Sequence, residues 1–90
     1  MNISIGQLVT SNAGRDQASI YLVVGIKNQY LLLVNGRERK IKNPKQKNIR
    51  HVNVLKSIAQ GVAEKLQSGM KITDEEIRQA IKVLYKPDNL

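Results

Sequence analysis

The sequence contains no cysteine, phenylalanine or tryptophan, and its 90 residues include only two prolines and one histidine. Without cysteine the chain has no disulfides and no thiolate metal ligands, a composition that is ordinary in a reducing compartment. It also has no basic segment followed by an apolar leader and no apolar run near the ~20 residues that a membrane span requires. We therefore expect a cytoplasmic protein with no signal peptide and no membrane association.

The scarcity of aromatic and catalytic side chains narrows the function classes further. With three tyrosines as its only aromatic residues, the chain is not expected to form a stacking platform for several unpaired bases, which normally uses two or three aromatic side chains on one sheet face. The single histidine, His51, has no cysteine or acid cluster near it with which to complete a metal site. The sequence shows no Ser/His/Asp arrangement, no glycine-rich phosphate loop and no carboxylate pair in a recognisable setting. We expect a protein that is not an enzyme and that uses no metal or cofactor.

Positive charge, in contrast, is abundant and concentrated in one segment. The formal net charge is +8, and the segment from Arg37 to Arg50 holds seven of the fifteen Lys and Arg residues with a single acid, Glu38. This segment therefore carries +6 of the total. A local cationic surface on a compact domain is typical of a polyanion site, and nucleic acid is the commonest polyanion. The alternative is a solvated lysine-rich loop.

The first half of the chain has the periodicity of β-strands. Apolar side chains alternate over Ser19–Ile26, and short β-rich runs cover Gln7–Thr10 and Tyr30–Val34. Because these strands are apolar on both faces, they suit a small curved barrel whose outer face is covered by other elements.

The basic segment follows a strong turn signal. Asn35-Gly36 is typical of a type I′ turn, in which both central residues have positive φ. Beyond it we expect a strand, a hairpin loop around Pro44 and a return strand. Their expected ranges are Arg37–Lys42, Asn43–Lys47 and Asn48–Asn53.

The second half of the chain changes to helical periodicity. Apolar residues from Leu55 to Leu66 recur at helical spacing and Gly69 follows, which predicts a helix over residues 55–68. Thr73–Glu76 is a capping box that places three acids in the first turn of a second helix, over residues 74–86. We interpret those acids as a cap and a complement to the helix dipole. A helical pair this short cannot form a core alone, so it is expected to cover the barrel.

Five segments, taken in order, resemble the KOW domain, in particular the bacterial KOW-domain RNA-binding proteins that are similar to archaeal and eukaryotic large-subunit ribosomal proteins. They are Gly6–Val9, Gly14–Asp16, Tyr21–Val24, Asn35–Arg37 and Asn43–Asn48, within a match that spans Ile5–Val52. The resemblance implies an SH3-like five-stranded β-barrel over residues 1–54. With the C-terminal two-helix hairpin of residues 55–90 packed on it, the fold class is mainly β, α+β overall. The resemblance also implies binding to structured RNA, often ribosomal RNA, and no catalytic activity.

The candidate RNA-binding residues are the cations and amides of the basic segment and its neighbours. They are Arg15, Arg37, Arg39, Lys40, Lys42, Asn43, Lys45, Lys47, Asn48, Arg50 and His51. The cations are expected to contact phosphates, and the amides phosphate or ribose oxygens. For Arg15 a pair with Asp16 is an equal alternative, and for His51 a packed position at a strand end is favoured. The residues expected to shape turns are Gly14, Asn35, Gly36 and Pro44.

The expected partner is structured RNA, alone or in the ribosome with its proteins. One alternative is a transcription-linked factor that binds duplex DNA or a polymerase complex. Another is a protein-interaction module in which the barrel or the apolar stripe from Ile77 to Leu84 docks on an acidic partner.

Overall fold

Five strands and two helices make up the computed structural model, which describes residues 2–12 and 19–85. The strands are β1 Gln7–Ser11, β2 Ile20–Lys27, β3 Tyr30–Val34, β4 Lys45–Asn48 and β5 Val52–Ile58. A 3-10 turn, Ile49–His51, joins β4 to β5, and the helices are α1 Gln60–Gln67 and α2 Asp74–Leu84. The fold is mainly β, of the α+β class. The first three strands and the second helix lie close to their predicted positions.

The strands form one antiparallel sheet in the order β4-β3-β2-β1-β5. Strands β2 and β3 make a tight hairpin in which Lys27 pairs with Tyr30, and the turn residue Asn28 has φ 58°. Asparagine tolerates this left-handed conformation better than most residues because its short polar side chain makes local hydrogen bonds. The register shifts between Val23 and Gly25, and again between Gln7 and Val9. Both shifts are β-bulges or irregularities in the ladder, and bulges increase the local bend of a sheet.

The connection between β4 and β5 requires the sheet to curve strongly. In a flat sheet the two outermost strands, β4 and β5, would lie about 19 Å apart, four spacings of about 4.8 Å. The four residue steps from Asn48 to Val52 can span at most about 14 Å. The 3-10 turn crosses this gap: the Ile49 N–H donates to the Gln29 carbonyl (2.8 Å), and the Asn12 N–H donates to the His51 carbonyl (3.0 Å). Because no ladder joins β4 to β5 among the described residues, the sheet is open and the expected closed barrel is not confirmed.

Each face of the sheet carries its own apolar core, as expected from strands that are apolar on both faces. On one face Leu8, Leu22 and Val34 pack with the helix residues Val62 and Ile77. On the other face the alternate strand residues pack together and are covered by the N-terminal segment and the 3-10 turn. They are Val9, Tyr21, Val23, Leu31, Leu33 and Val52, with Ile3, Ile5 and Ile49 packed against them. The prediction that the helical pair covers an apolar sheet face is confirmed.

Both predicted helix-end signals are confirmed. The Thr73 hydroxyl accepts from the Glu76 N–H (3.1 Å) while the Glu76 carboxylate accepts from the Thr73 N–H (3.2 Å), which is a complete capping box. Gly69, with φ 77°, follows α1, and the Met70 N–H donates to the Lys65 carbonyl (2.8 Å) in a Schellman motif.

The strand predicted over Arg37–Lys42 and the hairpin loop predicted over Asn43–Lys47 are wrong. Residues 35–44 form an ordered loop, and the next strand, β4, begins directly after Pro44. Gly36 has φ 76°, but Asn35 does not have positive φ, so the turn is not type I′. Instead the Asn35 side chain accepts hydrogen bonds from two later amides, which bends the chain away from a strand.

The return strand and the first helix begin later than predicted. Residues expected to start the return strand form the 3-10 turn, and β5 then continues through Ile58, across the residues expected to begin the helix. Leu55 and Ile58 fit helical spacing, but β1 supplies a strand partner for this segment. Gln7 pairs with Ile58, and its buried side-chain amide donates to the Leu55 carbonyl (2.8 Å). Tertiary pairing therefore overrides the local periodicity.

The ends of some predicted features lie outside the described residues. Gly14, Arg15 and the turn that carries them fall in residues 13–18, and the predicted end of α2 at Lys86-Pro87 falls in residues 86–90. Within the described ranges, neither helix is long and apolar enough to cross a membrane.

Candidate nucleic-acid interface

The basic segment follows one edge of the sheet. Strand β4 pairs only with β3 among the described residues, so it is an edge strand there. The loop before it and the 3-10 turn after it continue the same side of the domain. We call residues 37–51 the cationic edge. Its exposed members are Arg37, Lys40, Lys42, Asn43, Arg50 and His51, and its half-buried members are Arg39, Lys45, Lys47 and Asn48.

The Asn35 side chain organises the start of the cationic edge. Its Oδ1 accepts from the N–H groups of Arg37 (2.9 Å) and Arg39 (3.0 Å), and its Nδ2 donates to the Glu38 carboxylate (3.0 Å). The Asn35 and Gly36 N–H groups both donate to the Arg39 carbonyl, at 2.9 Å and 3.1 Å. The loop backbone is therefore held by local hydrogen bonds. Glu38, the only acid of this loop, accepts a hydrogen bond from the Asn35 side-chain amide.

Helix α2 fixes the same loop from the other side. The Asp74 carboxylate accepts from the Ile41 N–H (2.9 Å), and Arg78 Nη1 donates to the Gly36 carbonyl (2.6 Å). A Cβ on Gly36 would lie 2.6 Å from the Asp74 carbonyl oxygen, so glycine is needed for this close approach as well as for its φ. Ile41 packs against the helix-covered core. The loop thus has a fixed shape on the body of the domain.

The acids of α2 neutralise cations of the helices rather than those of the loop. Glu75 pairs with Arg78, and Lys65 Nζ lies 2.7 Å from a Glu76 carboxylate oxygen. The hydrogen bond from Arg78 is the main cause that lowers the pKa of Glu75, and the charge of Arg37 adds a smaller effect. The hydrogen bond from Lys65 is the main cause that lowers the pKa of Glu76.

Most cations of the edge therefore keep their charge available for a ligand. In the parts of the chain that the structure describes, no salt bridge involves Arg37, Arg39, Lys40, Lys42 or Arg50. These side chains are exposed or half-exposed, and each can donate hydrogen bonds to an anionic oxygen.

Strand β4 directs its two lysines to the face opposite the helices. Lys45 pairs with Leu33 and Lys47 with Leu31, and directly paired residues of an antiparallel ladder share a face. Both leucines belong to the core on that face, so the half-buried lysine stems lie beside apolar side chains. Gln46, between them, points to the other face.

Two predicted contact residues have positions that differ from the expectation. The Asn48 side chain accepts from the Arg50 N–H (2.9 Å) and so caps the 3-10 turn, which gives it a structural role. His51 is exposed, so the favoured interpretation of a packed strand-end residue is wrong. Its carbonyl, rather than its ring, holds the turn to Asn12.

The cationic edge divides into two groups along β4. The loop cations and Lys45 lie at the end of the sheet where β3 ends and β4 begins. Lys47 and Asn48 lie toward the other end, next to the β2–β3 turn, because Asn48 pairs with Tyr30. The strand is only four residues long, about 10 Å between its end Cα atoms at the usual rise, so the strand itself separates the two groups by only that distance.

Sequence reasoning missed two cations of α2 beside this surface. Arg78 and Lys82 are four residues apart on the helix, which places them on one face. With Arg37, Asn35 and Ser19 they line a cavity of about 280 Å³. Their i,i+4 spacing was the available signal, but nothing in the sequence showed that this face meets the loop.

The chemistry that the edge offers is hydrogen-bond donation and positive charge. No group of three or more metal-ligating side chains occurs in the described ranges. Guanidinium and ammonium groups carried by an ordered backbone, along an edge that is at least 10 Å long, suit several successive anionic oxygens.

Comparison with models of known protein families finds no match for this chain, and comparison with curated proteins finds none either.

Proposed function

We propose that the protein binds structured RNA through the cationic edge, with ribosomal RNA as the expected class of target. The observation that carries the proposal is the placement of seven cations on one ordered edge of a small domain. Charge alone would also fit a solvated loop. A solvated loop does not need its backbone held by Asn35, Asp74 and Arg78, and those contacts favour a surface of defined shape.

The proposed mechanism is electrostatic capture of phosphates followed by recognition of shape. Each Lys or Arg that neutralises a phosphate releases condensed counterions, which supplies affinity that is independent of sequence. The fixed spacing of the loop and β4 then favours folded RNA whose phosphates match it. Four to six phosphate contacts from seven cations would leave the remaining charge for long-range attraction.

The strand order supports the more specific identification as an SH3-like domain of the KOW type. The resemblance implies a five-stranded barrel, and the described part of the chain has five antiparallel strands of which the last returns to pair with the first. The strong curvature that the β4–β5 connection requires points the same way. In that proposal the cationic edge includes the basic segment around Pro44, which is part of the sequence resemblance.

A pair of matched charge reversals tests the proposal. Lys40→Glu with Lys42→Glu changes two exposed cations of the edge, and Lys56→Glu with Lys71→Glu changes two exposed cations elsewhere. Both variants lose the same net charge, so a general electrostatic effect would weaken them equally. We expect the edge variant to lose most of its affinity for an rRNA-derived hairpin in a fluorescence anisotropy titration. Equal affinities of the two variants would contradict the proposal.

Protein binding is a second candidate function, favoured by one observation. A groove of about 510 Å³ between α1 and α2 is lined mainly by apolar side chains, and Val83 at its rim is 61% exposed. Val83→Lys should leave RNA affinity unchanged while abolishing recovery of any protein partner from cells. If the lysine variant still recovers the same protein, the groove is not its binding site.

A further inference from the structure

Beside the cationic edge, at the end of the sheet where β2 turns into β3, lies a small cavity lined by an exposed aromatic ring. Its volume is about 190 Å³, and its walls are Lys27, Asn28, Tyr30, Leu32 and Gln46. Tyr30 is 40% exposed, whereas Tyr21 lies within the core at 4%. A chain with only three aromatic residues thus presents one of them on a strand next to its most cationic surface.

The register places these walls on a single face of the sheet. Tyr30 pairs with Lys27 on one side, and Leu32 pairs with Gln46 on the other. Since paired residues share a face, the ring, the leucine, the amide and the ammonium group point the same way. Leu32 also pairs with Gly25, and a Cβ at position 25 would lie 2.9 Å from Leu32 Cδ1. The glycine therefore gives Leu32 the room to form an apolar floor.

The polar groups of the cavity are free to serve a ligand. In the described ranges, the side-chain amides of Asn28 and Gln46 make no hydrogen bond to another residue. Each amide offers both donors and an acceptor, and can therefore pair with the edge of any base. Lys27 is exposed at the rim and supplies a cation for a phosphate.

From this arrangement we infer that the cavity binds one unpaired nucleotide of the RNA, with its base stacked on Tyr30, its edge against Gln46 or Asn28, and its phosphate at Lys27. The inference rests on the proposed function, because the RNA that occupies the cationic edge delivers the nucleotide. Gln46 lies on the edge strand β4 and faces away from Lys45 and Lys47, so an RNA strand that contacts these lysines must cross this four-residue strand to place a nucleotide in the cavity. Stacking tolerates every base, so the site selects an unpaired nucleotide rather than a sequence.

A pair of RNA probes of equal charge isolates the contribution of the base. Both are the same duplex with a 3′ overhang of four nucleotides, which is adenosine in one probe and abasic in the other. Wild-type protein should prefer the adenosine overhang by about 5- to 150-fold, the effect of one base–aromatic stack. Tyr30→Ala should lose this preference, and Tyr30→Phe, which keeps the ring, should retain it.

The matched control is Tyr85→Ala, which removes a tyrosine of similar exposure, 37%, just beyond the end of α2. It should bind both probes as wild type does. If Tyr30→Ala keeps the preference, or if wild-type protein binds both probes equally, the nucleotide site is refuted while phosphate capture stands. If wild-type protein binds neither probe, the proposed function fails and the nucleotide site with it.

A second measurement does not depend on the alanine variant remaining folded. The chain has no tryptophan, so Tyr30→Trp introduces a single indole reporter into the cavity. Its fluorescence should be quenched by the adenosine overhang and not by the abasic one. Quenching of equal size by both probes would overturn the stacking geometry.

Discussion

Replacing Asp74 by alanine should loosen the cationic edge without removing any of its cations. The Asp74 carboxylate accepts from the Ile41 N–H at 2.9 Å and is half-buried in the first turn of α2. A hydrogen bond to a charged group contributes about 1.5–3 kcal/mol, and partial exposure favours the lower end of that range. An acid in the first helical turn contributes about 0.5 kcal/mol more through the helix dipole. We therefore expect Asp74→Ala to reduce the free energy of unfolding by about 2 kcal/mol.

Thermal melting measures the loss of stability, and amide hydrogen exchange measures the loss of the hydrogen bond at Ile41. A loss of about 2 kcal/mol corresponds to a decrease of roughly 8–16 °C in the melting temperature of a domain of this size. The Ile41 amide should lose its protection, because its acceptor is gone. Asp74→Asn keeps an oxygen at the same position and should retain much of the protection at a smaller cost in stability. A change below about 0.5 kcal/mol, typical of featureless surface sites, with Ile41 protection unchanged, would refute the reasoning.

Three further predictions concern the loop and the helices. Gly36→Ala should destabilise the fold by more than about 1 kcal/mol, because Gly36 has φ 76° and a Cβ there would meet the Asp74 carbonyl oxygen. Gly61→Ala, which has open space around it, should instead stabilise the fold by about 0.5–1 kcal/mol. Thermal melts measure both changes. Asn35→Ala should weaken RNA binding in anisotropy titrations although no charge changes, since two loop amides lose their acceptor; unchanged affinity would show that loop shape is irrelevant. Because the pKa values of Glu75 and Glu76 are lowered from 4.5 in the folded state, stability that is fully present above that pH should fall as the pH decreases through the lowered values. Urea midpoints at pH 7 and pH 3 should differ less in a Glu75→Gln, Glu76→Gln variant than in wild type.

The sequence predicts well those elements whose signals are local. Strands β1 to β3 follow from period-two apolar runs, and α2 follows from the Thr73–Glu76 capping box and its apolar stripe. The coverage of the sheet by helices follows from the excess of apolar side chains on both strand faces. These features depend on residues a few positions apart, which is the range over which sequence periodicity carries information.

The errors occur where residues distant in sequence decide the conformation. Leu55 and Ile58 have helical spacing, but they lie in a strand because β1 pairs with this segment. The hydrogen bond from the Gln7 side chain to the Leu55 carbonyl spans 48 positions. The basic loop combines the local bend at Asn35 with a distant contact, because the Ile41 N–H donates to the Asp74 carboxylate 33 positions away. For the candidate site, the sequence locates seven cations in one segment, which the structure places along β4 and the loop and turn beside it. The shape of this edge, and the positions of Arg78 and Tyr30 beside it, depend on the tertiary structure.

The salt dependence of RNA binding tests the central claim most directly. Four to six phosphate contacts predict that log affinity falls against log salt concentration with a slope of about −3 to −5. In the Lys40→Glu, Lys42→Glu variant the slope should become shallower by about 2, one unit for each lost contact, while the Lys56→Glu, Lys71→Glu variant keeps the wild-type slope. A flat salt dependence of the wild-type protein, or slopes that are the same in all three proteins, would contradict phosphate capture by the cationic edge.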